Sequence, residues 1–227
     1  MFTARGFGAG AFRMLPLIPG VVILALLYGF MAGETGLTAI EAGLSSMLIF
    51  AGASQFLALQ MWTDPLAVGA LVAAVTTVNV RHILMGATMK PWLGQLRPAV
   101  AYGSLFFMTD EAWGLSVAEM SRGGRDAAFL PGAGFCLYVF WVGGTVLGSA
   151  FGDLVPDPER YGITFVFTAF FLALLSGFWR GRGDLIPWGV AAIVALVLER
   201  SMPGAWYILL GALAGSLAGA WRRVRRS

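Results

Sequence analysis

Apolar stretches long enough to cross a bilayer alternate along this chain with short polar punctuation. Residues 14–33, 42–63, 127–152, 161–179 and 201–221 contain no Asp, Glu, Lys or Arg. A membrane-spanning helix needs about 20 mostly apolar residues, and each run meets or nearly meets that length. Three shorter runs, 65–80, 98–109 and 185–198, become long enough once a few polar residues are allowed inside. The pattern predicts an all-α integral membrane protein, a polytopic bundle of roughly seven or eight transmembrane helices, some broken at mid-membrane. Connections such as Thr63-Asp64-Pro65 and Gly181-Arg182-Gly183-Asp184 leave no room for a soluble domain, so residues 1–227 read as a single transmembrane domain. Pro16 and Pro19 fall in the first span, which they should kink or delay.

Composition supports the membrane class. Of 227 residues, 58% are hydrophobic and only 12% charged, with a mean hydropathy of +0.78; a soluble domain carries about 25% charged residues. A net charge of +3 and a pI near 9.4 would suit nucleic acid. The excess is instead a cluster beside the last span, Arg222, Arg223, Arg225 and Arg226. Such clusters bind anionic lipid and set orientation, so membrane lipid is the expected partner and nucleic acid is not. The lone Cys136 excludes an intramolecular disulfide and a thiolate metal site. Arg5 and Arg13 before an apolar run imitate a signal peptide, but the later spans favour a retained first helix. With eight spans and both termini cytoplasmic, ten basic loop residues lie inside and four outside (Lys90, Arg97, Arg160 and Arg200). That satisfies the positive-inside tendency. Lys90 and Arg97 fit poorly and keep a seven-span topology open. A weak internal repeat pairs Phe56-Leu57-Ala58-Leu59 with Phe171-Leu172-Ala173-Leu174.

Two polar knots interrupt the apolar pattern: Asn79-Val80-Arg81-His82 and Thr109-Asp110-Glu111. An ionisable group at mid-membrane costs about 3 kcal/mol on insertion scales and marks a transport path by default. At 100° per residue, Thr76, Asn79 and His82 share one helix face while Thr77 and Arg81 lie on another, so protein surrounds this segment or the helix breaks near Asn79. The bland alternatives are a helix ending at the headgroups and a structural ion pair joining two helices. A third element, Phe50-Ala51-Gly52-Ala53-Ser54-Gln55-Phe56, places small residues around Ser54 and Gln55 at mid-span, where the backbone can unwind. The glycine rows Gly144, Gly148, Gly152 and Gly211, Gly215, Gly219 suit close helix packing or a partner interface. Trp92, Trp179, Trp188, Trp206 and Trp221 lie near predicted span ends.

A fixed cation, one or two carboxylates and an apolar surround suit a small zwitterion with a greasy side chain. Arg81 or a helix N-terminus would hold its carboxylate, and Asp110 or Glu111 its ammonium group. His82 and the carboxylates are candidates for coupling to the proton gradient. No phosphate-binding loop, dinucleotide fingerprint or ATP-hydrolysing module is recognisable, which favours gradient-driven over ATP-driven transport; neither a cofactor nor a metal is expected.

On the motifs Phe50-Ala51-Gly52-Ala53-Ser54-Gln55-Phe56, Asn79-Val80-Arg81-His82 and Thr109-Asp110-Glu111, with Gly36-Leu37 and Glu41-Ala42 ahead of them, the chain resembles the AzlC/YgaZ family of branched-chain amino acid permeases. The resemblance covers about residues 12–220. It implies a bacterial inner-membrane exporter of leucine, isoleucine, valine and sometimes methionine, working with a small hydrophobic subunit of the AzlD/YgaH type. Met85 stands where the family often has an aromatic residue, and Ala112-Trp113 where a hydroxyl residue is common. The substrate therefore need not be the family's usual one. Two other readings remain: a non-transporting membrane scaffold subunit, and an intramembrane serine hydrolase using Ser54 and His82.

Overall fold

The computed structural model describes residues 1–62, 65–152, 165, 172, 179, 181–201 and 206–224. Residues 161–179 and the second copy of the weak repeat lie outside this description apart from isolated positions. Helices follow one another as α1 (Ala4–Met14), α2 (Ile18–Glu34), α3 (Ala39–Ile49), α4 (Gly52–Gln60), α5 (Val68–Asn79) and α6 (Arg81–Thr88). Then come α7 (Lys90–Leu93), α8 (Pro98–Phe106), α9 (Asp110–Ser121), α10 (Phe129–Gly152), α11 (Leu185–Glu199) and α12 (Trp206–Val224). No strand occurs among the described residues. Three helical stretches there are long and apolar enough to cross a membrane: Ala4–Glu34, Val68–Thr88 and Phe129–Phe151. A 3-10 turn at Leu15–Leu17, containing Pro16, joins α1 to α2. The proline ring cannot donate to the α-ladder, and the tighter turn accommodates it.

The chain divides into two compact units, Met1–Leu59 with Asn79–Pro156 and Gln60–Val78 with Asp157–Ser227. In the first, α10 is the central post, packing on α2 most extensively and also on α1, α3, α8 and α9. Glycine makes this possible. A Cβ on Gly148 would collide with the Leu26 carbonyl, one on Gly29 with the Thr145 carbonyl, and one on Gly144 would lie 2.6 Å from the Ala25 Cβ. Farther along, Gly10 faces the Phe129 carbonyl and Gly132 the Phe7 carbonyl, which seats α1 against the start of α10. Between apolar helices in lipid, dispersion at close approach replaces the hydrophobic effect as the cohesive force. In the second unit α11 packs on α12, where Cβ atoms on Gly211 and Gly215 would lie 2.9 Å from the Ala191 carbonyl and 2.7 Å from the Pro187 carbonyl. The surroundings of Gly152 lie outside the described residues.

Caps fix where several helices begin. Thr38 and Glu41 form a reciprocal capping box at α3, and Thr109 accepts from the Ala112 N–H at α9. At α1, Thr3 accepts from the Gly6 N–H (3.0 Å) and is itself bound by Asp126, which precedes α10. Asp126 takes the Thr3 N–H (3.1 Å), the Thr3 hydroxyl and the Ala128 N–H (3.1 Å). Burial alone would push its pKa up. Hydrogen bonds from the Thr3 side chain and from the Ala128 and Thr3 backbone outweigh that and hold the carboxyl below its ordinary 3.8.

Gly148→Leu should wedge α2 from α10 and lower stability by about 1–3 kcal/mol, seen as an earlier melting midpoint in detergent. Gly143→Leu, where a Cβ meets nothing within 4 Å, should leave the midpoint unchanged. Because the folded pKa of Asp126 is depressed, the stability it contributes is complete above an unfolded aspartate's value and lost as pH falls through the folded one. Amide exchange at Gly6 and Ala128 should therefore accelerate below pH 3.8 in wild type, and at neutral pH in Asp126→Asn.

Candidate functional site

Each of the three polar motifs falls at a helix discontinuity. Between α3 and α4 the backbone leaves the helix at Phe50, the one non-glycine positive φ among the described residues (φ 43°, ψ 45°). Between α5 and α6 the chain stays near helical at Val80, where the Ile83 N–H bonds back to the Val80 carbonyl in a 3-10 manner. Between α8 and α9 residues 107–109 are non-helical. The flanking helices α4, α6, α8 and α9 have 9, 8, 9 and 12 residues, so none spans a bilayer alone.

Arg81 is the first residue of α6, and Asp110 and Glu111 form the first turn of α9. Helix N-termini carry partial positive charge, which favours the two carboxylates. Arg81 pairs with Asp110, Nη1 to Oδ2 at 2.9 Å. The two side chains are 36% and 32% exposed, so the pair is neither sealed in the protein nor free on its surface. The Arg81 Nε is shut off from solvent and lacks a partner. His82 is half-buried, and its Nδ1 lies 3.2 Å from the Asn79 carbonyl. A carbonyl only accepts, so Nδ1 carries the proton and Nε2 stays available. Asn79 is half-buried and Glu111 exposed. Two further bonds join these segments: Trp113 Nε1 to Thr88 Oγ1 (2.7 Å) and Trp92 Nε1 to the Gly124 carbonyl (3.1 Å).

Ser54 and Gln55 belong to a different environment, each only 1% exposed. Trp141 Nε1 can only donate, so the Gln55 atom facing it at 3.0 Å is Oε1, which fixes the amide's orientation. The Gln55 Nε2 then donates to Ser46 Oγ (3.0 Å) and Ser45 Oγ (3.4 Å). Ser46 donates to Thr145 Oγ1 (2.8 Å), which donates to the Trp141 carbonyl (2.8 Å). Ser45 donates to the Ala42 carbonyl (2.8 Å) and so accepts from the Tyr28 hydroxyl (2.7 Å). Every proton in this chain has one consistent direction. The network binds α2, α3, α4 and α10 beside the Phe50 break with no titratable carboxylate or imidazole in it. Ser54 Oγ, next in sequence, has no partner and so forms no dyad with His82.

An aromatic junction connects two of the breaks. Phe50 meets Phe106 (6.2 Å between ring centroids) and Tyr138 (5.0 Å), and Tyr138 meets Phe106 and Phe107 at 6.0 and 5.7 Å. Tyr138 also donates to the Met47 carbonyl (3.1 Å).

Of the residues singled out from sequence, Arg81 and Asp110 touch, Asn79 and His82 share a turn with Arg81, and Glu111 opens the same helix as Asp110. Ser54 and Gln55 make no hydrogen bond to any of these five. Gly144, Gly148, Gly211 and Gly215 lie against helices of their own unit. Sequence reasoning missed Trp141, Thr145, Ser45, Ser46 and Tyr28. One signal was present: Trp141 stands mid-run rather than at a span end, and a buried indole N–H requires an acceptor.

The family model described as AzlC protein matches residues 16–155, which contain all three polar motifs. An uncharacterized membrane protein of Archaeoglobus fulgidus is 31% identical over 219 residues, covering 95% of this chain and 94% of that one. The Escherichia coli inner membrane protein YgaZ is 28% identical, covering 93% of this chain and 88% of its own. The Bacillus subtilis branched-chain amino acid transport protein AzlC is 25% identical, covering 73% and 65%. No solved structure matches the chain. With the three motifs placed at helix breaks and the matched segment spanning them, the chain is an integral membrane protein of the AzlC family.

Proposed function

We propose that this chain is a secondary transporter that exports branched-chain amino acids (leucine, isoleucine, valine, with methionine as a near neighbour) across a bacterial inner membrane. The observation that carries the reading is the Arg81–Asp110 pair, opposite charges held 2.9 Å apart at two helix starts in a chain with little charge elsewhere. Its support from relatives is the name of the Bacillus subtilis protein. Residues 1–227 act as one transport module, both termini cytoplasmic, alongside a small hydrophobic membrane subunit. No catalytic step is assigned to it.

A zwitterion is matched by a site whose own charges already sum to zero. Its ammonium group binds Asp110, with the exposed Glu111 drawing it in, while Arg81 holds the Asp110 carboxylate in place. Proton coupling uses His82, whose Nε2 is available, and the two carboxylates, while Asn79 anchors the imidazole through its carbonyl. Ser54 and Gln55 flank the path at the neighbouring break. A scaffold subunit would have little use for a half-exposed ion pair at this depth, since ionisable groups there are expensive.

Efflux of labelled leucine or valine from vesicles holding this chain and its partner should fall at least about ten-fold in Asp110→Asn and in Arg81→Ala. Unchanged efflux in both variants would remove the proposed roles. His82→Gln should retain counterflow exchange while losing the response to an imposed pH gradient; a gradient response equal to wild type would take His82 out of the coupling.

A further inference from the structure

Hydroxyls on apolar helices normally donate back to a carbonyl one turn earlier. Among the described residues, three of the buried ones do so: Ser104 to Val100, Ser116 to Ala112 and Thr145 to Trp141. Ser46, the other buried hydroxyl described, bonds Thr145. Ser54 is the exception, buried to 1% exposure with no partner. The cause is the Phe50 break. The first backbone bond of α4 runs from the Gln55 N–H to the Ala51 carbonyl (2.9 Å), so the carbonyl one turn before Ser54 belongs to the left-handed residue and lies outside the ladder. The N–H groups of Gly52, Ala53 and Ser54 precede that first bond and take no part in the ladder either.

A helix start of this kind attracts an anion through its N–H groups and dipole. Ser54, the third residue of α4, has its Cβ tilted back over this turn. Residues 51–53 are half-exposed, so the turn is open on one side although Ser54 is covered. Gln55 cannot serve a ligand here, because its amide is already bonded to Trp141, Ser46 and Ser45. Its task is to hold the start of α4 in place. Arg81, the other candidate for an anion, is engaged by Asp110.

We infer that the first turn of α4, with the Ser54 hydroxyl, is the binding site for the carboxylate of the transported molecule. The inference deepens the transport reading and rests on it for the ligand's identity. It also divides the Ser54-Gln55 pair: Gln55 is a positioning residue, and Ser54 contacts the substrate. The break through Phe50 is the structural condition for both, since a continuous helix would give the Ser54 hydroxyl a carbonyl and close the N–H groups into the ladder.

The test measures binding of L-leucine, L-leucinol (which lacks the carboxylate) and 4-methylpentanoate (which lacks the ammonium) to the full chain in nanodiscs, wild type and Ser54→Ala, with melting midpoints for both. Wild type should bind leucine at least about ten-fold tighter than leucinol, the size of one charge-assisted hydrogen bond. Ser54→Ala should lose that margin, leave leucinol affinity unchanged, and melt at or above the wild-type temperature, because the hydroxyl removed had no partner to lose. An equal loss for leucine and leucinol, an unaltered leucine affinity, or an earlier midpoint would overturn the assignment. Binding of 4-methylpentanoate that depends on Ser54, in a protein that takes no branched-chain amino acid, would keep the carboxylate site and reject the transport substrate. Absence of binding by either carboxylate-bearing probe would reject the site itself.

Discussion

A helix that stops inside an apolar slab exposes N–H and C=O groups that lipid cannot satisfy, and each orphan costs several kcal/mol. This chain stops or loosens its helices at three polar motifs, and the first unit supplies the compensation. A 24-residue post, α10, packs against α3, α8 and α9, which flank the first and third of these breaks. Close approach to α10 depends on glycine, at Gly148 against Leu26 and at Gly29 against Thr145, because any Cβ there meets a carbonyl. From the same post Trp141 and Thr145 reach the α3–α4 break and Tyr138 reaches the Phe50–Phe106 contact. The irregular backbone is tolerable because a regular one is held within reach of it.

Much of this was legible as charge and its absence. The run 127–152 becomes α10 almost without change, since 24 consecutive residues without charge admit little else in lipid. The small-residue motif at 50–56 becomes a break, and the arginine and aspartate knots come together. Boundaries were less legible. The first span extends back through α1 to Ala4, because Arg5 and Arg13 read as loop although Gly10 and Gly132 allow α1 to lie along α10. The run 98–109 stops being helical at Phe107, whose carbonyl lies where a Cβ on Gly134 would be, a tertiary constraint that no local pattern displays. The amide network escaped notice for a similar reason. Ser46 and Thr145 are 99 residues apart, and nothing about either residue alone announces the other.

Within one short motif, adjacent residues have opposite fates. Gln55 has committed both amide N–H donors to α3 and its oxygen to Trp141 of α10, whereas the Ser54 hydroxyl has no partner. The difference is positional. Side chains one residue apart on a helix diverge by 100°, so Gln55 turns into the wall formed by Trp141 and Ser46 while Ser54 stays over a turn from which the carbonyl has been withdrawn. A saturated amide rigidifies its surroundings, whereas an unsatisfied hydroxyl marks strain or an absent ligand.

The same contrast separates the two polar centres. The Gln55 network is built of amide, hydroxyl, indole and carbonyl groups and holds no carboxylate, imidazole or cation, so the membrane potential finds no charge in it to act on. The Arg81–Asp110 pair is charged, but moved as a unit it carries no net charge, and the potential does no work on it. Separating the two, or protonating Asp110, leaves an uncompensated charge, for which a full crossing is worth about 2.3 kcal/mol per 100 mV. A response of this pair to the membrane potential therefore requires that it break. In the transport reading proposed above, an ammonium group arriving at Asp110 would offset the charge that Arg81 relinquishes, so that zwitterion binding and ion-pair opening would be a single electrostatic exchange beside a neutral framework.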